Sequence, residues 1–185
     1  MKTTILSEDT IFENKAVATI GFFDGVHRGH QFLLKHVVDL AHENGMESMA
    51  ITFDKHPRQV LNADYQPQLL TTLDDKLKLL AETGIDHCVV LPFTKVLAVL
   101  SAYDFMDNIM RTKLGVATLL IGYDNRFGHN RSETFADYVR YGKEMGIEVV
   151  QNTALDVEGI MVSSSVVRRL ISNGDVETAA KCLGR

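Results

Sequence analysis

Five short apolar runs alternate with stretches of helical periodicity along the chain, and this alternation restricts the fold more than any other feature. The runs lie at residues 16–20, 48–53, 87–91, 117–121 and 148–150, and the helical stretches at 29–44, 73–82, 102–113 and 133–145. Each run is continuously apolar, which is typical of strands buried on both faces of a parallel sheet. The sequence therefore predicts an α/β fold, a Rossmann-like doubly wound parallel sheet of about five strands with helices on both faces. Such folds bind ligands beyond the carboxyl ends of their strands.

The predicted helices carry start and stop signals. Thr72 and Ser101 are candidate N-caps, with Asp75 and Asp104 three residues later. The glycines that end the helices are Gly45, Gly84, Gly115 and Gly146. After residue 150 the alternation stops, and we expect one further strand within 156–162 and two short helices at 165–172 and 176–183.

The first predicted strand is joined to the first predicted helix by residues 20–31, Ile-Gly-Phe-Phe-Asp-Gly-Val-His-Arg-Gly-His-Gln. A strand, a glycine-rich turn and a helix start direct backbone N–H groups and the positive helix end at an anion. His27 and His30 lie at this junction, and Gly29 between them allows a close approach. The histidines could simply cap the helix and face solvent, and a metal site lacks a carboxylate or cysteine at ligand spacing. Their position favours phosphate oxygens as partners of the imidazole N–H groups.

A second polar cluster precedes an apolar helical stretch at residues 162–168, Val-Ser-Ser-Ser-Val-Val-Arg. The three serines are suited to capping a helix, and hydroxyls with free amides at a helix N-terminus also bind anions. Arg168 follows Ser165 by three residues, so both lie on nearly the same face of the helix. Arg169 lies about 100° further round and is expected to face solvent.

Two further polar segments leave predicted strands on the ligand side. Residues 122–131, Gly-Tyr-Asp-Asn-Arg-Phe-Gly-His-Asn-Arg, follow the fourth strand, and residues 52–58, Thr-Phe-Asp-Lys-His-Pro-Arg, follow the second. Each segment is compatible with a surface turn, anchored in the second case by Pro57, and equally with contacts to a substrate.

Composition and charge argue against several other classes of protein. The formal charge of −5 disfavours a broad basic surface for nucleic acid. The first ten residues lack the apolar core of a signal peptide, and no apolar run approaches the roughly 20 residues of a membrane span. Cys88 and Cys182 have no disulfide or zinc spacing, and we expect both to be buried thiols of a reducing compartment. These features predict a cytoplasmic protein that binds neither nucleic acid nor membrane.

In these four segments the chain resembles the flavin adenylyltransferase module of bacterial bifunctional riboflavin kinase/FAD synthetases, a branch of the nucleotidyltransferase superfamily. The resemblance extends over essentially all 185 residues and is strongest at 21–31 and 162–168. The histidine and serine–arginine motifs mark the superfamily, whereas segments 122–131 and 53–57 point to the flavin branch. Further matches are at residues 70–73, 76–77, 90–93, 174–176 and 183–185.

The resemblance implies that ATP and FMN give FAD and pyrophosphate, with Mg²⁺ on the ATP phosphates. It implies catalytic roles for His27, His30 and Arg168, which would stabilise the attacked α-phosphate and hold the departing phosphates. The residues implied to bind ATP are Gly21, Phe22, Phe23, Asp24, Gly25, His27, His30, Ser164, Ser165 and Arg168. The residues implied to bind FMN are His56, Pro57, Asp124 and Asn130. FMN brings an ionised phosphate oxygen as its own nucleophile, so neither a nucleophilic side chain nor a protein metal cluster is expected.

Three positions depart from the usual pattern of the family. Lys55 stands at a common proline, Asn125 at a common aromatic residue, and Met161 at a frequent arginine. The last departure bears on the affinity for phosphate more than on the type of reaction. The family continues beyond the Leu-Gly-Arg at 183–185 into a riboflavin kinase domain. We therefore expect residues 1–185 to form one adenylyltransferase domain without riboflavin kinase activity.

Other functions remain open at the level of sequence. A related enzyme that adenylylates or cytidylylates another phosphorylated small molecule would share both phosphate motifs. A non-catalytic nucleotide sensor would keep the fold and lose turnover, although the intact histidines and Arg168 disfavour it. A plain scaffold has no need for so many polar groups at one end of a sheet.

Overall fold

The computed structural model describes residues 1–61, 64, 68–129 and 131–185, and its centre is a six-stranded parallel β-sheet. The strands are β1 (Lys2–Ile5), β2 (Ala16–Ile20), β3 (Glu47–Phe53), β4 (His87–Leu91), β5 (Val116–Ile121) and β6 (Glu148–Gln151). They lie in the order β1-β4-β3-β2-β5-β6, and all neighbouring pairs are parallel. This architecture confirms the Rossmann-like α/β fold with its five predicted strands and adds β1 at one edge.

Helices cover both faces of the sheet. They are α1 (Arg28–Glu43), α2 (Pro57–Leu61), α3 (Leu73–Ala81), α4 (Lys95–Ala98), α5 (Ala102–Phe105) with a π-helical continuation (Met106–Arg111), α6 (Phe135–Met145), α7 (Ser164–Ser172) and α8 (Val176–Leu183). α1 and α3 contribute to the apolar core on one face, which contains Val17 and Leu34. α5, its continuation and α6 contribute to the core on the other face, which contains Ile51 and Met106. The two faces thus bury the apolar runs that identified β2 to β5, whereas β6 is a partly exposed edge strand.

The helix starts follow from local capping. The Thr72 and Ser101 hydroxyls accept hydrogen bonds from the N–H groups of Asp75 (3.2 Å) and Asp104 (3.0 Å), as the sequence predicts. Ser163 caps α7 by accepting from the N–H of Val166, so this helix begins one residue earlier than expected.

Three elements differ from the sequence-based expectation. β1 lacks a continuous apolar run because it is a largely exposed edge strand that pairs with β4. Residues 156–162 form two antiparallel strands, β7 (Asp156–Val157) and β8 (Ile160–Met161), because Glu158 and Gly159 reverse the chain at positive φ. Pro57, at which a surface turn was one expectation, is instead the first residue of α2. Proline is suited to this position because the first N–H groups of a helix have no partner within the helix.

The direction in which strands are added reverses at β2, which pairs with both β3 and β5. The carboxyl ends of β2 and β5 therefore border the crevice in which doubly wound folds bind ligands. α7 and α8 pack together in a separate apolar cluster with Val167 and Ala179, and Leu70 and Leu183 contact it. This cluster brings the last helices of the chain close to the crevice.

Gly142 provides a test of the packing between α6 and β6. A methyl group at this position would lie 2.4 Å from the Ile147 carbonyl oxygen and 2.6 Å from Val149 Cγ2. Glycine-to-alanine changes normally stabilise an open helix by about 1 kcal/mol. We expect Gly142→Ala to reduce the free energy of unfolding by about 2 kcal/mol, because the backbone must shift to admit the methyl group. Urea unfolding measures the change, and the exposed Lys143→Ala on the same helix is the control. A stabilised Gly142→Ala variant would contradict the packing described.

Candidate functional site

A cavity of about 600 Å³ opens at the carboxyl ends of β2 and β5. This volume is typical of small-molecule sites. The residues expected from sequence that line it are Gly21, Phe22, Phe23, Asp24, His27, His30, His56, Asp124, Ser164, Ser165 and Arg168. Gly25 and Pro57 do not line the cavity themselves: Gly25 follows the lining residue Asp24, and Pro57, the first residue of α2, lies between the lining residues His56 and Arg58. Asn130 lies outside the described residues. The imidazoles near the amino end and the guanidinium near the carboxyl end of the chain therefore face one common space.

The two histidines of the first turn form a stacked pair at the cavity wall. Their ring centroids are 3.6 Å apart with an interplanar angle of 18°. His27 caps α1, because its Nδ1 accepts a hydrogen bond from the N–H of His30 (3.3 Å). The His30 ring also contacts the Phe23 ring edge to face at 5.2 Å. Among the described residues its buried Nδ1 has no hydrogen-bond partner.

Burial keeps both imidazoles uncharged near neutral pH. Desolvation lowers the pKa of His27 to about 4, against an ordinary value of 6.5. Desolvation also lowers the pKa of His30 well below that value, and the charges of His27 and Lys76 lower it further. A neutral imidazole presents one N–H donor and one lone pair, and it can gain a proton when negative charge arrives beside it.

The carboxylate of Asp24 fixes the orientation of Arg168. Asp24 is 2% exposed, and its Oδ1 accepts hydrogen bonds from the N–H groups of Leu70 (2.9 Å) and Thr71 (3.2 Å). Its Oδ2 accepts from a terminal nitrogen of Arg168 at 2.6 Å, while Arg168 Nε donates to the Gln68 carbonyl at 2.7 Å. The guanidinium is thereby held at the cavity edge by two separate acceptors. Arg169 is exposed, as its helix position predicts.

The glycine turn, residues 21–27, has strained backbone that several distant contacts hold in place. Phe23 and Val26 have φ values of 55° and 38°, in the left-handed region that a β-branched residue such as Val26 rarely adopts. The hydrogen bonds that hold this turn run from Gly25 N to Thr71 Oγ1, from Ser164 Oγ to the Asp24 carbonyl, from an Arg185 guanidinium nitrogen to the Gly25 carbonyl, and from Gln31 Nε2 to the Val26 carbonyl. Gln31 Nε2 also donates to the Leu183 carbonyl at 3.0 Å, which binds the carboxyl-terminal residues to the same turn. Sequence reasoning assigned no role to Thr71, Gln31 or Arg185.

The His56 segment, residues 54–58, forms another part of the cavity wall. The His56 ring contacts the Phe22 ring edge to face at 4.8 Å. Burial and then the neighbouring charge of Arg58 lower the pKa of His56 below its ordinary value. Arg58 itself lines the cavity, although the sequence assigned it no function.

The opposite wall comes from the ends of β5 and β6. Asn125, one of the departures from the family pattern, donates from Nδ2 to the Ile20 carbonyl and so links the loop after β5 to β2. Asn152 follows β6, is buried, and pairs its Oδ1 with His36 Nδ1 at 2.6 Å. Its place one residue beyond a strand end is the signal that could have identified it. Met161 also lines this cavity.

Lys76 lies beneath the site. It is 2% exposed, and its Nζ donates to the carbonyls of Phe22 and Phe53 and to Thr52 Oγ1. Burial lowers its pKa to about 8. The amphipathic pattern of α3 does not indicate this burial, because lysine in such a helix ordinarily faces solvent.

The described ranges offer neither a metal cluster nor a helix suited to a membrane. They contain no group of three or more His, Cys, Asp or Glu side chains arranged to hold a metal ion. Within the same ranges, no helix has both the length and the apolar character required to cross a membrane.

The chain is similar to known proteins in both sequence and fold. A family model described as FAD synthetase matches residues 9–166. The bifunctional riboflavin kinase/FMN adenylyltransferase of Escherichia coli strain K12 is 33% identical over 168 residues, which cover 91% of this chain and 54% of that protein. The enzyme of the same name from Listeria monocytogenes is 36% identical over 175 residues, covering 92% and 54%. The chain thus spans about half the length of these curated relatives. A crystal structure described as a macrolide-efflux protein from Streptococcus pneumoniae superimposes with a TM-score of 0.84 at 25% identity, covering 98% of this chain and 60% of that one.

The buried histidines should make the fold less stable in mild acid. A histidine whose pKa is lower in the folded chain binds fewer protons there than in the unfolded chain, so protonation favours unfolding. From His27 we expect the free energy of unfolding to fall as the pH drops from 6.5 to about 4. The loss from this residue should be on the order of 3 kcal/mol. Urea unfolding across this range measures it, and a His27→Gln/His30→Gln double variant should show a shallower decrease. Identical pH dependence in both proteins would contradict the assignment.

Proposed function

Because the chain belongs to the FAD synthetase family, we propose that it transfers the adenylyl group of ATP to FMN, giving FAD and pyrophosphate. The observation that carries the proposal is the meeting of two imidazoles, a serine-rich helix N-terminus and an oriented guanidinium in one cavity. All three groups are suited to phosphate oxygens. In the reaction, an FMN phosphate oxygen bonds to the α-phosphorus of ATP, the bond from that phosphorus to the β-phosphate oxygen breaks, and pyrophosphate leaves.

His27 and His30 are proposed to bind the α-phosphate region. Both are uncharged before ATP binds, since burial lowers the pKa of each. As negative charge gathers on the α-phosphate oxygens, imidazole N–H donors stabilise it more strongly than they stabilise the ground state. The unpartnered Nδ1 of His30 and the close stacking of the two rings support this role.

Ser164, Ser165 and Arg168 are proposed to hold the phosphates that leave. The N-terminus of α7 directs its free N–H groups and positive end toward the cavity. Arg168 retains N–H donors beyond those bound to Asp24 and Gln68, because a guanidinium has five. Phosphoryl-type transfer depends mainly on alignment and charge neutralisation, and these groups supply both.

FMN is proposed to bind between the His56 segment and the loop after β5. His56, Pro57, Asp124 and Asn130 are the residues proposed for this role, Asn130 on the strength of the family resemblance alone. Arg58 adds a positive charge on the wall formed by the His56 segment, to which the FMN phosphate is proposed to approach.

Mg²⁺ is proposed to arrive on the phosphates of ATP. The described residues offer no cluster of ligands for the ion, and the carboxylate of Asp24 is occupied by protein donors. Magnesium prefers substrate phosphates and retained waters over an all-protein cage, so this donor set fits an ATP-borne ion. When bound it would neutralise phosphate charge.

The proposal covers residues 1–185 acting as one adenylylating unit in the cytoplasm. The relatives named above carry two activities in about twice the length, and we assign only the adenylyl transfer to this chain. The dependence on ATP and the two free, buried cysteines favour a cytoplasmic location.

The direct test incubates the purified chain with ATP, Mg²⁺ and either FMN or riboflavin and separates the flavins by chromatography. We expect FAD and pyrophosphate from FMN, and no FMN from riboflavin. Pyrophosphate release with a different phosphorylated acceptor, and none with FMN, would indicate another nucleotidyltransferase. Tight ATP binding without pyrophosphate release would indicate a nucleotide sensor.

Single substitutions test the proposed phosphate contacts. We expect His30→Ala and Arg168→Ala each to lower kcat by about 100-fold or more, as the loss of a donor to a developing oxyanion does. Arg169→Ala removes an exposed guanidinium from the adjacent position and should leave kcat unchanged. Unaltered turnover in either active-site variant, measured as FAD formed with time, would refute the role of that residue.

A further inference from the structure

We propose that Lys76 is a positioning residue of the site, whose buried ammonium binds the main-chain carbonyls at the ends of β2 and β3 and so holds the glycine turn against the His56 segment. The expected change in kcat rests on the proposed function. The expected change in the titration of His30 does not, because it can be measured without turnover.

The geometry of the ammonium group is the first support. Nζ donates to the Phe22 carbonyl at 3.0 Å, the Phe53 carbonyl at 2.9 Å and Thr52 Oγ1 at 3.1 Å. These three bonds match the three N–H donors of an ammonium group. Phe22 belongs to the glycine turn, and Phe53 immediately precedes the His56 segment. Thr52 Oγ1 donates in turn to the Phe22 carbonyl at 3.1 Å, which closes the network.

Two aromatic contacts connect this network to the imidazoles. Lys76 Nζ lies 4.1 Å from the centroid of the Phe22 ring, and that ring contacts His56. Phe23, the next residue, contacts the His30 ring. A shift of the Phe22 backbone would therefore move both the proposed phosphate-binding and acceptor-binding histidines.

The charge of Lys76 is the second support. An apolar side chain would fill the same space, whereas a buried ammonium must be compensated for lost hydration. The ionisable groups that face Lys76 are Asp24 in the glycine turn, Asp54 after β3, Cys88 on β4 and His30 on α1. The carboxylates favour the charged lysine, and the lysine charge favours a neutral His30. The ammonium thus acts on His30 through electrostatics as well as through the Phe22 backbone.

The test compares Lys76→Met with Lys78→Met, an exposed lysine on the same helix, in the full chain. Methionine keeps the length and apolar body of the side chain and removes the three bonds and the charge. We expect Lys76→Met to lower kcat for FAD formation on the order of 100-fold, as ångström-scale misplacement of reacting groups does, with little change in the KM for ATP. Lys78→Met should behave as the unmodified chain.

Two further measurements complete the test. NMR titration of the His30 ring should show a higher pKa in Lys76→Met than in the unmodified chain. Thr52→Val, which keeps the lysine and removes one bond, should give a smaller loss of kcat and serves as the test if Lys76→Met does not fold. The proposal would be overturned if a folded Lys76→Met or Thr52→Val variant had the kcat of the unmodified chain. An unchanged His30 titration in Lys76→Met would also overturn it. If the unmodified chain made no FAD, the proposed function would fail, and the histidine titration would still decide the role of Lys76.

Discussion

The carboxylate of Asp24 joins three parts of the chain that are far apart in sequence. It belongs to the glycine turn, binds the backbone N–H groups of Leu70 and Thr71 just before α3, and pairs with Arg168 on α7. A carboxylate buried to this extent is tolerated only when donors replace its lost hydration, and these groups supply them. No strand or helix contains both the histidine pair and the guanidinium, so this anion, together with the bond from Ser164 Oγ to the Asp24 carbonyl, sets their relative positions.

The backbone strain of the glycine turn explains why so many contacts converge on it. Left-handed φ values at Phe23 and Val26 cost of order 1–3 kcal/mol each, and such conformations persist only where surrounding bonds over-determine them. Here the bonds come from Thr71, Ser164 and Arg185. A turn held in this way presents its imidazoles in a fixed arrangement, so little reorganisation is needed when charge develops on the phosphate proposed to bind there.

The fold and the outline of the site could be predicted because both rest on local patterns. Apolar runs identified β2 to β6, and polar residues directly after them had to meet at one edge of a parallel sheet. β1 could not be found in this way, because its residues, Lys-Thr-Thr-Ile, form no apolar run. No individual role could be predicted from the sequence for Lys76, Arg58 and Asn152, for a different reason. Their functional meaning depends on which side chains the tertiary fold places around them, and lysine on a short helix has the same local signature whether it is buried or solvated. The ion pair between Asp24 and Arg168 could not be predicted either, because the two residues lie 144 positions apart.

The contacts between the glycine turn and the last residues have a consequence for biosynthesis. Arg185 and Gly25 are separated by 160 positions, and Gln31 and Leu183 by 152. At a translation rate of about 5–20 residues per second, the ribosome finishes the turn on the order of ten seconds before the residues that hold it. During that interval a nascent chain holds this turn through Gln31, Leu70 and Thr71 without the bond from Arg185. The proposed nucleotide site is therefore complete only after α7 and α8 have left the ribosome and docked.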